Sequence, residues 1–334
     1  MSSSNSNNLT LDILRKAERD GYGILAQTCY DAGMAIALVR AAERARSPAI
    51  LQLFPVTLAY GGGPFLRFCL DLFVVPLPPL HPLFTNAHLT PSAHNASVPI
   101  AVHLDHATDP EHLELAIRLA EKGIAFDSIM VDASHADVRL VSSVLILTTK
   151  LTHMHVYMQS DEENIALARP YVDRAHAAGV AVEVELGRLE GGEAGLRVIS
   201  DAKLTNPDKA DIFMNGTGAD ILAPSIGNLH GSYLSPPNFR QQILKDLRTK
   251  FARRSVPLCL HGTDEIPDSL FTECIRNGVS KINVNSWARD PYAKTFGTAL
   301  AAAAPFPDSQ EAATEAFAAV CARFFTLFGS AGKA

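Results

Sequence analysis

Eight short apolar runs, separated by amphipathic segments, recur along almost the whole chain. Most of the runs are rich in valine, isoleucine and leucine without strict alternation, which is typical of strands buried on both faces of a sheet. Eight strand candidates that alternate with helices predict an α/β fold, and the number eight favours closure into a (β/α)8 TIM barrel over an open sheet. The runs are Gly23–Cys29, Ala49–Phe54, Pro99–Asp105, Asp127–Asp132, Val180–Leu186, Asp220–Ile226, Val256–His261 and Val279–Asn285.

The segments between the runs carry helix signals. In Pro110–Lys122 apolar residues recur at helical spacing, Asp109 provides a cap before a first-turn proline, and Gly123 follows as a stop. Asp264–Asn277 has a similar pattern, which Gly278 would end. We therefore predict a helix over each of these two segments.

A single domain accounts for the length of the chain. A barrel of this kind commonly takes about 250 residues, so the 334 residues of the chain can hold one barrel with additions. We predict a disordered, Ser/Asn-rich N-terminus over residues 1–10 and one barrel domain over residues 11–334.

Two stretches break the alternation of strands and helices. Leu72–Ser92 contains five prolines and no charged side chain other than histidine, and Val138–Gln159 is rich in leucine and β-branched residues where a helix is expected. We predict both as atypical insertions, and we hypothesise that they are translated introns. The second begins with valine, whose codons start with GT, and ends with glutamine, which can be encoded as CAG. These are the two ends of an ordinary intron. Evolved surface loops, which barrels tolerate, are the alternative.

The charge and the cysteines exclude several classes of protein. The net charge is −6 and there is no dense block of lysine and arginine, which argues against a nucleic-acid partner. Five scattered cysteines without a C-x-x-C pair are typical of a reducing compartment. The N-terminus lacks the features of a signal peptide, and no apolar stretch reaches the roughly 20 residues of a membrane helix. We expect a cytoplasmic protein without a membrane partner.

Polar side chains stand out where the apolar runs end. In a barrel these strand ends converge on the face where active sites are built. Three histidines with acidic residues at one rim are what a zinc-like divalent metal needs. Taken singly, a histidine can be a hydrogen-bonded structural residue, and Asp132 can merely cap the next segment. The residues are His103, Asp105, His106, Asp132, Glu183, Glu185, His230, His261, Asn283 and Asn285.

Five short segments that contain most of these residues resemble, in order, the signature segments of a known family, the class II (metal-dependent) ketose-bisphosphate aldolases. The similarity extends from about Leu11 to the end of the chain and skips the two atypical stretches. The five segments are His103–His106, Val182–Gly187, Gly227–Gly231, His261–Gly262 and Lys281–Asn285.

The resemblance implies roles for individual residues. His106, His230 and His261 match the ligands of the catalytic Zn²⁺, and Glu185 and Asp132 match further carboxylates of the metal site, with or without a second divalent cation. Asp105 matches the acid/base that exchanges a proton with the C4 hydroxyl of a ketose, and Glu193 matches an acidic residue near the metal. The residues that match substrate-binding positions are Gly231, Gly262, Asn283, Asn285 and Ser286.

The chemistry agrees with these residue types. Cleavage of the ketose leaves an enediolate, whose negative charge a Lewis-acid metal stabilises. A carboxylate next to a metal ligand lies close to the bound substrate, where geometry governs proton transfer. Metal-independent aldolases use a Schiff-base lysine instead. Lys281 is the candidate for that role here, and the histidine set makes this the lesser hypothesis.

The phosphate-binding parts of the family pattern are altered. The family has a Gly-Gly-Ser/Thr-Gly run after its last metal histidine, whereas this chain continues from Gly262 with Thr263, Asp264 and Glu265. Leu234 stands where the family commonly has lysine, and Glu190 replaces a glycine. Carboxylates near a phosphate repel it unless they point away.

These features lead to one expected function and two alternatives. We expect a zinc-dependent aldolase, a homo-oligomer (dimer or tetramer) that acts on a sugar phosphate, with fructose 1,6-bisphosphate and a place in glycolysis as the family default. The first alternative is an aldolase for a different or less phosphorylated ketose. The second is a catalytically impaired barrel that still binds metal.

Overall fold

The computed structural model describes residues 8–72, 96–132, 161–187, 189–191 and 203–334. Apart from Leu72, the two predicted insertions lie outside the described residues, and so does Glu193. Leu72 itself is buried in the hydrophobic core, so the folded body of the protein includes this residue.

Eight parallel strands close into a barrel. Each of the eight apolar runs forms one strand, which confirms the prediction of a (β/α)8 barrel. Two further strands, β6 (Glu190–Gly191) and β8 (Leu229–His230), form a separate two-stranded parallel sheet. The barrel strands are β1 (Ile24–Thr28), β2 (Ala49–Leu53), β3 (Ile100–Ala107), β4 (Ser128–Val131), β5 (Ala181–Leu186), β7 (Ile221–Pro224), β9 (Leu258–Leu260) and β10 (Val279–Val284). Around the barrel they follow the order β1-β10-β9-β7-β5-β4-β3-β2.

Ten helices of the described part pack around or against the barrel. Among them, none is long and apolar enough to cross a membrane. They are α1 (Leu9–Asp20), α2 (Ala32–Ala45), α3 (Pro55–Leu70), α4 (Pro110–Glu121), α5 (Asp161–Ala177), α6 (Pro207–Thr217), α7 (Gln241–Phe251), α8 (Asp268–Arg276), α9 (Ser286–Ala301) and α10 (Phe306–Leu327).

The two helices predicted from local signals are found with different accuracy. Helix α4 begins at Pro110, and the side chain of Asp109 accepts a hydrogen bond from the backbone of Glu111, as its capping role requires. Helix α8 begins four residues later than predicted, at Asp268, because Asp264 accepts a hydrogen bond from Ser286 instead of entering a helix.

Helix α1 closes the N-terminal end of the barrel. Its apolar residues, among them Leu11 and Leu14, cluster with the first inward-facing residues of the strands, such as Ile24 and Ile50. The prediction of disorder over residues 1–10 is wrong for residues 8–10, because Thr10 is fully buried in this contact. Residues 1–7 lie outside the described part of the chain.

Above this apolar layer, towards the carboxyl ends of the strands, the barrel interior is polar. Side chains alternate along a strand, so residues two apart share a face. Four strands each contribute two polar or ionisable side chains to the interior, and all eight are buried. These are His103 and Asp105 of β3, Glu183 and Glu185 of β5, Cys259 and, just after β9, His261, and Lys281 and Asn283 of β10.

Candidate metal centre and active site

Three buried histidines meet at the carboxyl-terminal mouth of the barrel. His106 lies at the end of β3, His230 in β8, and His261 directly after β9. One ligand nitrogen from each ring lies within 4.8 Å of the other two. Nε2 of His106 and Nδ1 of His261 are 3.0 Å apart. The structure therefore brings together the three histidines that the sequence singled out.

An irregularity in β3 allows two consecutive residues to face the same site. In a regular strand Asp105 and His106 would point to opposite faces. The pairing register of β3 with β4 shifts between Leu104 and Ala107, and His106 has a φ of 49° in the left-handed region. Such a bulge redirects one side chain. As a result, Asp105 and His106 line the same pocket.

Two carboxylates select which ring nitrogen faces the site in His106 and in His261. Nδ1 of His106 lies 3.2 Å from Oδ2 of Asp132, and Nε2 of His261 lies 2.8 Å from Oε1 of Glu183. An ionised carboxylate only accepts hydrogen bonds, so each neutral ring donates its N–H outward. The lone pairs of the other two nitrogens then point into the site. This arrangement, with His230 as the third imidazole, fits a divalent metal of the zinc type.

Asp105 is buried beside the histidines and is held by two amide side chains. Nε2 of Gln52 donates to Oδ2 of Asp105 at 3.2 Å. Nδ2 of Asn283 lies 3.1 and 3.0 Å from its two oxygens. Burial alone would raise the pKa of Asp105, but the neighbouring His106, His261 and Lys281, which favour the ionised carboxylate, hold it well below its usual range. Asp105 is therefore a fixed, ionised carboxylate able to accept a proton.

The comparisons with known proteins agree with this geometry. Residues 8–333 match the family model described as fructose-bisphosphate aldolase class-II. The chain belongs to this family. It is an aldolase, and hence a lyase.

Named relatives support the assignment. A protein of Coccidioides immitis (strain RS) named "Putative fructose-bisphosphate aldolase" is 33% identical over 98% of this chain and 95% of its own. The D-tagatose-1,6-bisphosphate aldolase subunit GatY of Klebsiella oxytoca is 33% identical over 82% of this chain and 79% of its own. A crystal structure of a "putative fructose-1,6-biphosphate aldolase" from Coccidioides immitis superposes with a TM-score of 0.80, at 32% identity and 98% coverage of both chains.

Asp132 and Glu185, which we expected near the metal of this class II aldolase, lie at the edge of the histidine group. Asp132 contacts the outward nitrogen of His106, so the structure places it behind this ring. Oε1 of Glu185 accepts a hydrogen bond from the backbone N–H of Leu189 at 3.4 Å. Among the described residues, the group of converging ligand atoms contains the three histidines and neither of these carboxylates.

The environment of Lys281 speaks against a Schiff base in this aldolase. A lysine that forms one needs a lowered pKa and access to the substrate. Lys281 is fully buried and forms an ion pair of 2.9 Å with Glu183. Burial alone would lower its pKa, yet the surrounding negative groups, which include Glu183 and Asp105, raise it above the ordinary value. The lysine is charged and enclosed.

The expected substrate residues lie around the same pocket. Gly262, Asn283 and Asn285 line it together with the histidines, while Gly231 follows His230 directly. Gly262 has a φ of 63°, and a Cβ atom there would lie 2.3 Å from the carbonyl oxygen of Leu229. Only glycine fits at this position.

The altered phosphate-binding segment is partly turned towards the pocket. Asp264 lines the pocket and accepts a hydrogen bond from Ser286, another expected substrate residue. Burial raises the pKa of Asp264, although Ser286 acts in the opposite direction. Glu265 is exposed and does not line the pocket, and Leu234 is also fully exposed. Of the two carboxylates that follow His261, only Asp264 lines the pocket.

Three residues that support the aldolase site were not predicted. Gln52 contacts Asp105, and its place in an apolar strand was the only signal for it. Nδ2 of Asn228 donates to the carbonyl oxygen of His261 at 2.8 Å. The hydroxyl of Tyr233 donates to the carbonyl oxygen of Gly262 at 2.7 Å. The last two tie the loop of His230 to the loop of His261.

Proposed function

We propose that this class II aldolase binds one Zn²⁺ through His106, His230 and His261 and cleaves or forms a carbon–carbon bond in a phosphorylated ketose. The observation that carries the proposal is the convergence of three buried imidazole nitrogens beside the buried carboxylate of Asp105. Fructose 1,6-bisphosphate, and with it a step of glycolysis, is the family default.

The residues of the site divide the reaction between them. A divalent metal held by the histidines would supply Lewis-acid stabilisation of the negative charge that develops on the enediolate. In the cleavage direction Asp105 accepts the proton of the C4 hydroxyl as the C3–C4 bond breaks, and it returns the proton in the reverse direction. Gln52 and Asn283 keep its two oxygens in place. We further propose that Glu185 and Asp132 stabilise the bound metal or a second divalent cation.

Asp264, at one end of the pocket, restricts which substrate we propose. Asp264 replaces a residue that holds phosphate in the family pattern, and it engages the Ser286 hydroxyl itself. A carboxylate at this place repels a phosphate dianion at any pH where both are ionised. We therefore propose weak use of fructose 1,6-bisphosphate, or a preference for a ketose without a phosphate at that end.

A catalytically impaired barrel is the second candidate. The altered segment at Asp264 favours it, whereas the assembled histidines and the well-held Asp105 favour catalysis. Zinc binding without turnover of any ketose would identify the impaired barrel. We also propose a location in the cytoplasm, in line with the five buried free cysteines. We further propose a homo-oligomer, and light scattering of the purified protein measures its size.

The first prediction concerns the metal. Wild-type protein should contain about one zinc per chain, and His230→Ala and His106→Ala should each lower this content, because a catalytic zinc site with three protein ligands loses one of them. Elemental analysis of the purified proteins measures the content. His112→Ala, on helix α4, is the matched control and should keep the metal. Unchanged zinc in both site variants would refute the assignment.

The second prediction concerns the phosphate. Asp264→Ser should lower the Michaelis constant for fructose 1,6-bisphosphate at least about tenfold, since a hydrogen bond to a charged group contributes about 1.5–3 kcal/mol. Glu265→Ser removes the neighbouring carboxylate outside the pocket and should change little. The assay covers a panel of ketoses with and without phosphate, each with zinc present and after chelation. Tight use of the bisphosphate by the wild type would show that other groups bind the phosphate.

A further inference from the structure

Lys281 is a fully buried cation whose partners all belong to the interior of the barrel. Its Nζ atom lies 2.9 Å from Oε2 of Glu183, 2.9 Å from Oδ1 of Asn283 and 3.5 Å from Sγ of Cys259. A buried charge persists only when it is paired and hydrogen-bonded. Lys281 is not a metal ligand and does not face the pocket, so its place in the site calls for another role.

The first contact leads to a metal ligand. Glu183 divides its two oxygens, because Oε2 pairs with Lys281 and Oε1 lies 2.8 Å from Nε2 of His261. Nδ2 of Asn283 also lies 3.2 Å from this ring nitrogen and could donate to it in the opposite tautomer. Lys281 can only donate, so it holds Oε2 of Glu183 and leaves Oε1 to accept from Nε2 of His261, and Nδ1 then presents its lone pair to the site.

The second contact leads to the proton-transfer group. The amide of Asn283 has two possible orientations. Lys281 can only donate, so Oδ1 must face it, and the ionised Asp105 can only accept, so Nδ2 must face that carboxylate. Both ends therefore require the same orientation, and the lysine prevents the amide from turning over.

We propose that Lys281 is a positioning residue that orients both halves of the site: His261 through Glu183, and Asp105 through Asn283. The description of His261 as part of a metal-binding half and of Asp105 as part of a proton-transfer half rests on the proposed function. Its first readout, the tautomer of His261, is independent of metal binding and of turnover.

The first test uses metal-free protein with ¹⁵N-labelled histidine. Ring nitrogen shifts distinguish the two tautomers, and a His261→Asn sample assigns the signal. In the wild type we expect the hydrogen on Nε2 of His261, and in Lys281→Met, which removes the charge and keeps much of the volume, we expect that preference to be lost. A wild-type preference that survives in Lys281→Met would overturn the first half of the proposal, whether or not the protein binds zinc.

The second test separates the two halves. Lys281→Met should raise the dissociation constant of zinc about 10- to 100-fold, the usual effect of losing a partner behind a ligand. It should also lower kcat at saturating zinc by up to about 100-fold, because Asp105 loses its fixed position. In Glu183→Gln, by contrast, Lys281 still holds Asn283, so kcat at saturating zinc should fall less than in Lys281→Met. In Glu183→Gln/Lys281→Met neither half is held, because the glutamine amide can turn either end towards His261, so zinc affinity and kcat should both stay low.

A destabilised variant serves as the control. Ile50→Ala opens a cavity in the apolar layer of the barrel and should leave zinc affinity and the tautomer of His261 unchanged. If Lys281→Met changes these properties no more than Ile50→Ala, the proposal is wrong. If Lys281→Met cannot be recovered folded, the double variant, which buries no charge at either position, carries the test. Loss of one such contact should lower kcat roughly tenfold. A kcat of the double variant within about threefold of wild type would therefore overturn the second half of the proposal.

Discussion

Individual side chains in this aldolase depend on partners that fix their orientation. Asp105 illustrates this, because amide groups from β2 and β10 hold its two oxygens. A general base has to lie within hydrogen-bond reach of the proton that it accepts, before its pKa matters. Gln52 and Asn283 provide that geometry.

The third prediction tests Asp105. Asp105→Asn keeps the shape of the side chain and removes the base, so zinc content and the melting temperature should persist. General acid–base catalysis contributes about 100- to 10,000-fold, and kcat should fall on this scale at saturating zinc. Asp109→Asn, at a helix cap outside the pocket, is the matched control and should retain full turnover. Near-normal turnover in Asp105→Asn would assign the proton transfer to another group.

Among the secondary-structure elements, one carboxylate directly before a strand joins the barrel to a helix. Asp220 directly precedes β7 and accepts hydrogen bonds from the backbone N–H of Val182 in β5 and from Nε2 of His176 in α5, both at 2.8 Å. The contact anchors the end of the helix to two strands. The hydrogen bond to Asp220 raises the pKa of His176, while partial burial acts in the opposite direction.

The fourth prediction follows from the sign of that shift. Because the pKa of His176 is raised in the folded protein, its pairing stabilises the fold below the unfolded value of about 6.5 and loses this effect as the pH rises through the folded pKa. His176→Gln should therefore destabilise the protein most near pH 5.5 and least near pH 9, by at most about 1 kcal/mol. Urea titrations across this range measure the difference, with His112→Gln as the control. A difference that grows with pH would contradict the assignment.

For the molecule as a whole, the two ends of the barrel have different tasks. Helix α1 seals the N-terminal end with apolar side chains, while the carboxyl end carries the ionisable residues and the pocket. This division suits a barrel enzyme, because stability comes from one end and chemistry from the other. The two atypical stretches of the sequence, apart from Leu72, lie outside the described residues.

The fifth prediction concerns those stretches, which we still propose to be translated introns. The mature transcript should lack both, and a protein without residues 73–92 and 138–159 should keep its zinc content and turnover. Leu72 is retained in this variant because it is buried in the core. An apolar, β-prone segment favours aggregation, so the soluble yield should rise. Sequencing of the transcript decides the matter, since the presence of both stretches would refute the proposal.

The strands and the three converging histidines could be predicted from the sequence because their signals are local. An apolar run identifies a strand from its own residues, and all eight runs form barrel strands. His106, His230 and His261 could be named because each follows or ends such a run. Where local signals compete, as at the start of α8, prediction was less accurate, because Asp264 bonds to a residue of α9 instead of capping its own helix.

The connections among the site residues, by contrast, depend on the tertiary structure. Lys281 and Glu183 lie on β10 and β5, strands that are not neighbours in the sheet, and they meet only across the interior of the closed barrel. No periodicity along the chain records such a contact, so the sequence left Lys281 as a candidate nucleophile. By itself the sequence determined the eight strands and the chemical types at their ends. The closed barrel decided which of those groups pair, because pairing depends on distances across its interior that only the completed fold defines.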